Sequence, residues 1–203
     1  MPVILLEPQQ QVVTPLPLKY DRSSFAPWID NPSIRKENPG ASTGDPVDYY
    51  PASDGQDILI EAPALTMQRR TFRIRKGENG SFGNVAIIGG HYIGTDEATT
   101  SGSDFDTVWR IEDIKGDCWV EGVYITAGEK QDGFQIGEKN GNNAGNWYFQ
   151  RCWWDNIKGP KLSPHGDFVQ NLGPVGHVRV DNFYGSSGSV SYTHLTLPTT
   201  SRV

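Results

Sequence analysis

Val85-Ala86-Ile87 returns three more times farther along the chain, as Cys118-Trp119-Val120, Trp147-Tyr148-Phe149 and Val178-Arg179-Val180. Measured at the third residue of each, the intervals are 33, 29 and 31 residues, too short for separate domains and in the range of stacked repeats. Val85, Cys118, Trp147 and Val178 form one apolar column, and Ile87, Val120, Phe149 and Val180 form a second. The residues between and just after them (Ala86, Trp119, Tyr148, Arg179, then Ile88, Glu121, Gln150, Asp181) are mixed. That alternation is the mark of short strands with one buried face.

Working outward, the connecting stretches are rich in Gly, Asn and Asp, as in Gly137-Glu138-Lys139-Asn140-Gly141-Asn142-Asn143, and they turn the chain where positive φ is often needed. No amphipathic helical segment separates the strands. Parallel strands wound as a coil satisfy all of these features, so the expected fold is all-β, a right-handed parallel β-helix. The alternation begins with Ile58, Ile60, Phe72 and Ile74. Three divisions follow: residues 1–57, Pro-rich and aperiodic, as a cap on the first coil or a linker; residues 58–189 as the coils; and residues 190–203 as a tail foreign to the pattern.

Within that tail, Val190-Ser191-Tyr192-Thr193-His194-Leu195-Thr196-Leu197-Pro198-Thr199 reads as the translation of a sequencing-library adapter. The expectation is therefore a solenoid truncated at its C-terminus near Ser189, with His194 carrying no function. Without Arg202, 17 basic residues stand against 24 acidic ones. This acidic balance argues against nucleic acid as a partner. It also repels a polyanionic polysaccharide unless a cation or a local basic patch intervenes. One basic patch exists, Arg69, Arg70, Arg73, Arg75 and Lys76 around the inward Phe72 and Ile74, readable as a solvated strand face or an anion site. No stretch is long and apolar enough to cross a membrane as a helix, and the N-terminal apolar run is too short for a secretory signal. Localisation stays open, with extracellular or virion-associated settings favoured. Cys118 and Cys152 fall in different inward columns, the latter with Gly90, Val123 and Phe183, so they are expected to be free buried thiols.

Two sets of residues carry chemistry. Aligning Gln135 with Gln170 places Asp132 and Asp167 in one column, with Asp106 expected one coil earlier and His165 two residues before Asp167. Strand spacing across a sheet is about 4.8 Å, so such carboxylates crowd one another. The column has three uses: an acid/base pair at the separations of glycosidases, an oxygen-rich Ca²⁺ site, or repeated turn caps accepting backbone N–H groups. No cofactor is otherwise required, and no specific metal is indicated. The second set lies four residues beyond each reference position: His91, Tyr124, Trp153 and Tyr184, with Trp119 and Tyr148 as a further pair. Exposed, such rings suit the apolar faces of sugars; covered by a neighbouring loop, they are a satellite core.

Asn84-Val85-Ala86-Ile87-Ile88-Gly89-Gly90, Val120-Glu121-Gly122-Val123-Tyr124-Ile125 and Val180-Asp181-Asn182-Phe183-Tyr184 resemble the coil pattern of the right-handed parallel β-helix, or pectin-lyase-like, superfamily. Asp132-Gly133-Phe134-Gln135 and His165-Gly166-Asp167-Phe168-Val169-Gln170 resemble the His-x-Asp-Gly-x-Gln segments of many members, with Phe168 where glycine is usual. The resemblance implies polysaccharide lyases, glycoside hydrolases or phage tail spikes, the last as homotrimers. Two functions are therefore expected in competition. One is a polysaccharide-processing enzyme with Asp106, Asp132, Asp167 and His165 catalytic, and His91, Trp119, Tyr124, Tyr148, Trp153, Tyr184, Gln135 and Gln170 binding substrate. The other is a non-catalytic carbohydrate-binding or structural module, such as part of a tail spike or adhesin. The enzyme requires the Asp column and the aromatic strip to share one groove.

Overall fold

The computed structural model describes residues 21–39, 46–62, 67–69, 71–94, 107–126, 132–137, 145–157, 167–171, 173 and 175–187. After a one-turn helix, α1 (Arg22–Phe25), and a 3-10 turn over Pro27–Asp30, the chain is built from short strands. These are β1 (Arg35–Glu37), β2 (Val47–Tyr49), β3 (Ile58–Glu61), β4 (Met67–Arg69), β5 (Phe72–Ile74), β6 (Val85–Ile88), β7 (His91–Ile93) and β8 (Thr107–Ile111). They continue with β9 (Cys118–Glu121), β10 (Tyr124–Thr126), β11 (Asp132–Ile136), β12 (Trp147–Gln150), β13 (Trp153–Ile157), β14 (Val169–Asn171), β15 (Val178–Asp181) and β16 (Tyr184–Ser187).

Sheet A orders them β1-β3-β6-β9-β12-β15, sheet B β4-β7-β10-β13-β16, and sheet C β2-β5-β8-β11-β14. Every pairing between them is parallel. Each circuit thus lays one strand on each of three faces, the β-solenoid expected from the repeat. In sheet A, Val85 pairs with Cys118, Cys118 with Trp147 and Trp147 with Val178, so the reference columns of the sequence are the ladder register.

The core is the inside of the tube. Sheet A contributes Ile58, Ile60, Val85, Ile87, Val120 and Phe149, all fully buried; sheet B contributes Tyr92, Ile125 and Trp154, and sheet C contributes Phe72, Trp109 and Phe134. Rings stack between coils, with Phe72 to Trp109 centroids at 4.7 Å and Phe134 to Trp154 at 5.0 Å. Gly90 leaves room for the Tyr92 ring, which lies 2.7 Å from where a Cβ would stand. Cys118 and Cys152 are both buried and free.

Two corners hold the circuits in register. Between sheets A and B, Gly89, Gly122, Arg151 and Asn182 each take positive φ (70°, 65°, 53° and 49°), one per circuit. Their amides continue the ladder: Gly89 N–H donates to Glu121 O, Gly122 N–H to Gln150 O, and Arg151 N–H to Asp181 O. Between sheets C and A, Asp57, Asn84, Asp117, Asn146 and His177 stack. Asp57 Oδ1 accepts from Asn84 N at 2.7 Å, Asn84 Oδ1 from Asp117 N at 2.8 Å, Asp117 Oδ1 from Asn146 N at 2.7 Å, and Asn146 Oδ1 from His177 N at 3.3 Å. The Asn amides also donate to the Asp carboxylates below them, at 3.0 and 3.2 Å. The side chains of Asp57, Asn84, Asp117 and Asn146 so each satisfy an amide of the next circuit that has no strand partner.

Residues 22–34 cross the outside of sheet A. Ala26, Ile29 and Ile34 pack on the outward column Leu59, Ala86, Trp119 and Tyr148. The Arg179 guanidinium lies over the Phe25 and Tyr148 rings at 5.5 and 5.4 Å. The part of residues 1–57 that is described therefore lines the side of the tube, and β1 and β2 extend sheets A and C upstream of residue 58. Residues 190–203 lie outside the described residues.

Candidate functional site

The aromatic strip is a register column of sheet B. His91 pairs with Tyr124, Tyr124 with Trp153, and Trp153 with Tyr184, and Met67 heads the same column. Each ring is the first residue of its strand, just past the positive-φ corner and one residue beyond an inward one (Gly90, Val123, Cys152, Phe183), and so it points out. His91 and Tyr124 stack at 4.0 Å and 10°. Trp153 stands edge-on to Tyr124 at 6.3 Å and 74°, and lies over Tyr184 at 4.1 Å and 35°. Trp153 and Tyr184 are 49% and 48% exposed, whereas His91 and Tyr124 are half-buried. Three steps of about 4.8 Å make this a ladder roughly 14 Å long, parallel to the solenoid axis.

His91 anchors one end. Its Nε2 lies 3.0 Å from Thr126 Oγ1, and burial pushes its pKa below the usual histidine value, which favours the neutral ring at pH 7. Two residues beyond each ladder ring stands a second outward column, Ile93, Thr126, Asp155 and Ser186; Ser186 Oγ donates to Asp155 Oδ1. The sequence reading passed over this polar rail, although adding two to each ring position locates it. On the corner side the rail is Glu61, Ile88, Glu121, Gln150 and Asp181, with Arg151 paired to Glu121.

Trp119 and Tyr148, expected as a further pair either exposed to bind sugar or covered as a satellite core, are 0% and 4% exposed. Both are on sheet A beneath residues 22–34, and the Trp119 indole N–H donates to Glu121 Oε2 at 2.8 Å. They form a satellite core, covered by the upstream segment and not by a loop between coils.

Asp132 and Asp167 do share a column: Asp132 Oδ1 accepts from Asp167 N at 2.8 Å. They are 1% and 5% exposed. Asp132 has the same parity in β11 as Phe134 and Ile136, which face the core, so its carboxyl serves the backbone of the next circuit. The residue facing Asp132 one circuit earlier is Thr107, not Asp106; the register had been placed one residue early. Asp106 and His165 lie outside the described residues. Gln135 and Gln170 stack on the outside of sheet C, with Gln135 Nε2 donating to Gln170 Oε1 at 2.7 Å. They continue a column with Arg73 and Arg110, on a different face from the ladder. Of the basic patch, Arg73 donates to Asp48 at 2.7 Å, Arg75 lies 3.3 Å from Glu112 and Lys76 3.6 Å from Asp113, while Arg70 and the Arg69 side chain lie outside what is described.

Among the described residues, no group of three or more His, Cys, Asp or Glu side chains is arranged to hold a metal ion. No helix among them is long and apolar enough to cross a membrane. In comparisons with known proteins, no family model, no curated protein and no solved structure matches the chain. What the structure shows is a parallel β-solenoid; no match assigns it to the pectin-lyase-like superfamily.

Proposed function

We propose that this β-solenoid binds an extended glycan along the His91-Tyr124-Trp153-Tyr184 ladder as a non-catalytic carbohydrate-binding or structural module. The observation that carries the reading is four rings in one outward column, two of them half exposed. The half-exposed rings of Trp153 and Tyr184 offer apolar surface to a chain lying parallel to the solenoid axis, the stacked His91 and Tyr124 extend the strip with their ring edges, and the polar rails offer partners for the hydroxyls. A rigid rod of stacked coils presents such a face without reorganisation.

The competing reading, a glycoside hydrolase or polysaccharide lyase, draws less support. Its carboxylates at Asp132 and Asp167 are buried, and that of Asp132 accepts from the Asp167 amide at the start of sheet C, whereas the ladder starts the strands of sheet B. The test is binding of the chain to a panel of soluble polysaccharides by affinity electrophoresis, with product analysis for new reducing ends or unsaturated sugars in the same samples. Retention without cleavage, weakened by Trp153→Ala and Tyr184→Ala, is the expected result. Each ring contact at ~0.5–1.5 kcal/mol corresponds to roughly 2- to 12-fold in affinity. Cleavage abolished by Asp132→Asn in a folded variant would replace this reading with the enzymatic one, and retention indifferent to Trp153→Ala would remove the ladder from it.

A further inference from the structure

The rails beside the ladder differ from it in a way that selects among glycans. On the corner side, Glu61, Glu121 and Asp181 stand in one column, and on the other side Asp155 stands between Thr126 and Ser186. Glu121 is buried and paired with Arg151, so the carboxylates beside the exposed rings are Asp155, which accepts from Ser186, and the half-buried Asp181. Arg69 falls in the Asp155 column and Glu61 in the Asp181 column, both on a circuit three steps upstream of Trp153 and of opposite formal charge. The chain as a whole carries a formal charge of −6, so the long-range field has the same sign as the local one.

Resting on the glycan-binding reading above, we infer that the ladder takes an uncharged polysaccharide, and that the carboxylates of Asp155 and Asp181, which flank Trp153 and Tyr184, exclude uronate-rich or sulfated chains. Carboxylates accept hydrogen bonds from sugar hydroxyls, so the rails help a neutral chain and oppose an anionic one. Like charges facing across a contact disfavour the anionic ligand and so act as a specificity filter. Recognition of the neutral chain then comes from the rings, and its orientation from Thr126, Asp155 and Ser186.

The experiment compares soluble β-glucan and galactomannan with polygalacturonate on the full chain at low and physiological salt, for the native sequence, Trp153→Ala, and the double variant Asp155→Asn/Asp181→Asn. The expected result is binding of a neutral chain, lost in Trp153→Ala, with polygalacturonate at least about tenfold weaker at low salt and the gap narrowing as screening increases. The double variant is expected to raise polygalacturonate binding several-fold relative to neutral-chain binding, and an unchanged ratio of the two would overturn the charge filter. Tight polygalacturonate binding that depends on Trp153 would overturn the charge filter while leaving the ladder as a glycan site. Absence of Trp153-dependent binding to any of the three would overturn the glycan reading itself, and this inference with it.

Discussion

Trp153 and Trp154 are consecutive in the chain and face opposite sides of β13, so substituting each by alanine asks one question of two environments. Trp154 is fully buried, with ring centroids of Phe183, Phe134 and Phe149 at 4.7, 5.0 and 5.5 Å. Its indole N–H has no hydrogen-bond partner among the described residues, so the cost of Trp154→Ala is lost packing and a cavity, ~3–5 kcal/mol for such a truncation. At about 2–4 °C per kcal/mol for a chain of this size, Tm falls by roughly 6–20 °C. Trp153 is half exposed and touches the Tyr184 ring closely and the Tyr124 ring at its edge. Trp153→Ala therefore costs less than about 1.5 kcal/mol, with a Tm change under about 6 °C. Thermal unfolding followed by circular dichroism, backed by urea midpoints, measures both. Equal losses, or a larger loss for Trp153→Ala, would mean that β13 is set one residue out of register, since a single slip turns every side chain to the other face. The ladder would then dissolve with the core.

Three other expectations follow from the same coordinates. Gly145→Ala places a Cβ 1.7 Å from the Gly116 carbonyl oxygen, a backbone atom that cannot swing aside, so stability should drop on the order of 3 kcal/mol or more; a variant with unchanged urea midpoint would refute the close stacking of that corner. Ile29→Ala removes a buried side chain from the cluster over Trp119, at ~2–5 kcal/mol, and hydrogen exchange should rise in residues 22–34 while the core strands stay protected. Burial pushes the Cys152 thiol up from 9.0 to about 12 and Cys118 well above its ordinary value. With the folded values raised, the stability these groups contribute is intact below about pH 9 and is lost as pH rises toward 12. A thiol reagent at pH 8 should therefore react only after denaturant is added, and fast reaction of the native chain would contradict the burial.

Much of this architecture is readable from the residues alone. The interval between Ile87, Val120, Phe149 and Val180 gave the ladder register of sheet A, and counting four onward gave the sheet B strip, because in a solenoid the pairing partner is the equivalent residue one circuit away. The corner between sheets C and A was equally accessible: Gly83-Asn84, Gly116-Asp117, Gly145-Asn146 and Gly176-His177 each precede an anchor triplet. The signal was missed because polar turn residues were read as generic loop chemistry. The Asp106 alignment failed for a related reason: the long connection before β8 blurred the count by one, and Thr107 took the column.

What the sequence by itself determined is the periodic part: parallel strands, their register, the two inward columns, and the outward placement of His91, Tyr124, Trp153 and Tyr184. Periodicity encodes the direction of a side chain relative to its own strand. It does not encode what lies on the outside of that strand, which is set by contacts between residues far apart in the chain. Tertiary structure alone decided that residues 22–34 bury Trp119 and Tyr148 while the sheet B rings stay partly open. It likewise decided that Asp132 turns its carboxyl to the amide of Asp167. Two aromatic columns of similar sequence character thus diverge into core and surface because one of them meets an aperiodic, apolar segment, and no repeat in the chain announces that meeting.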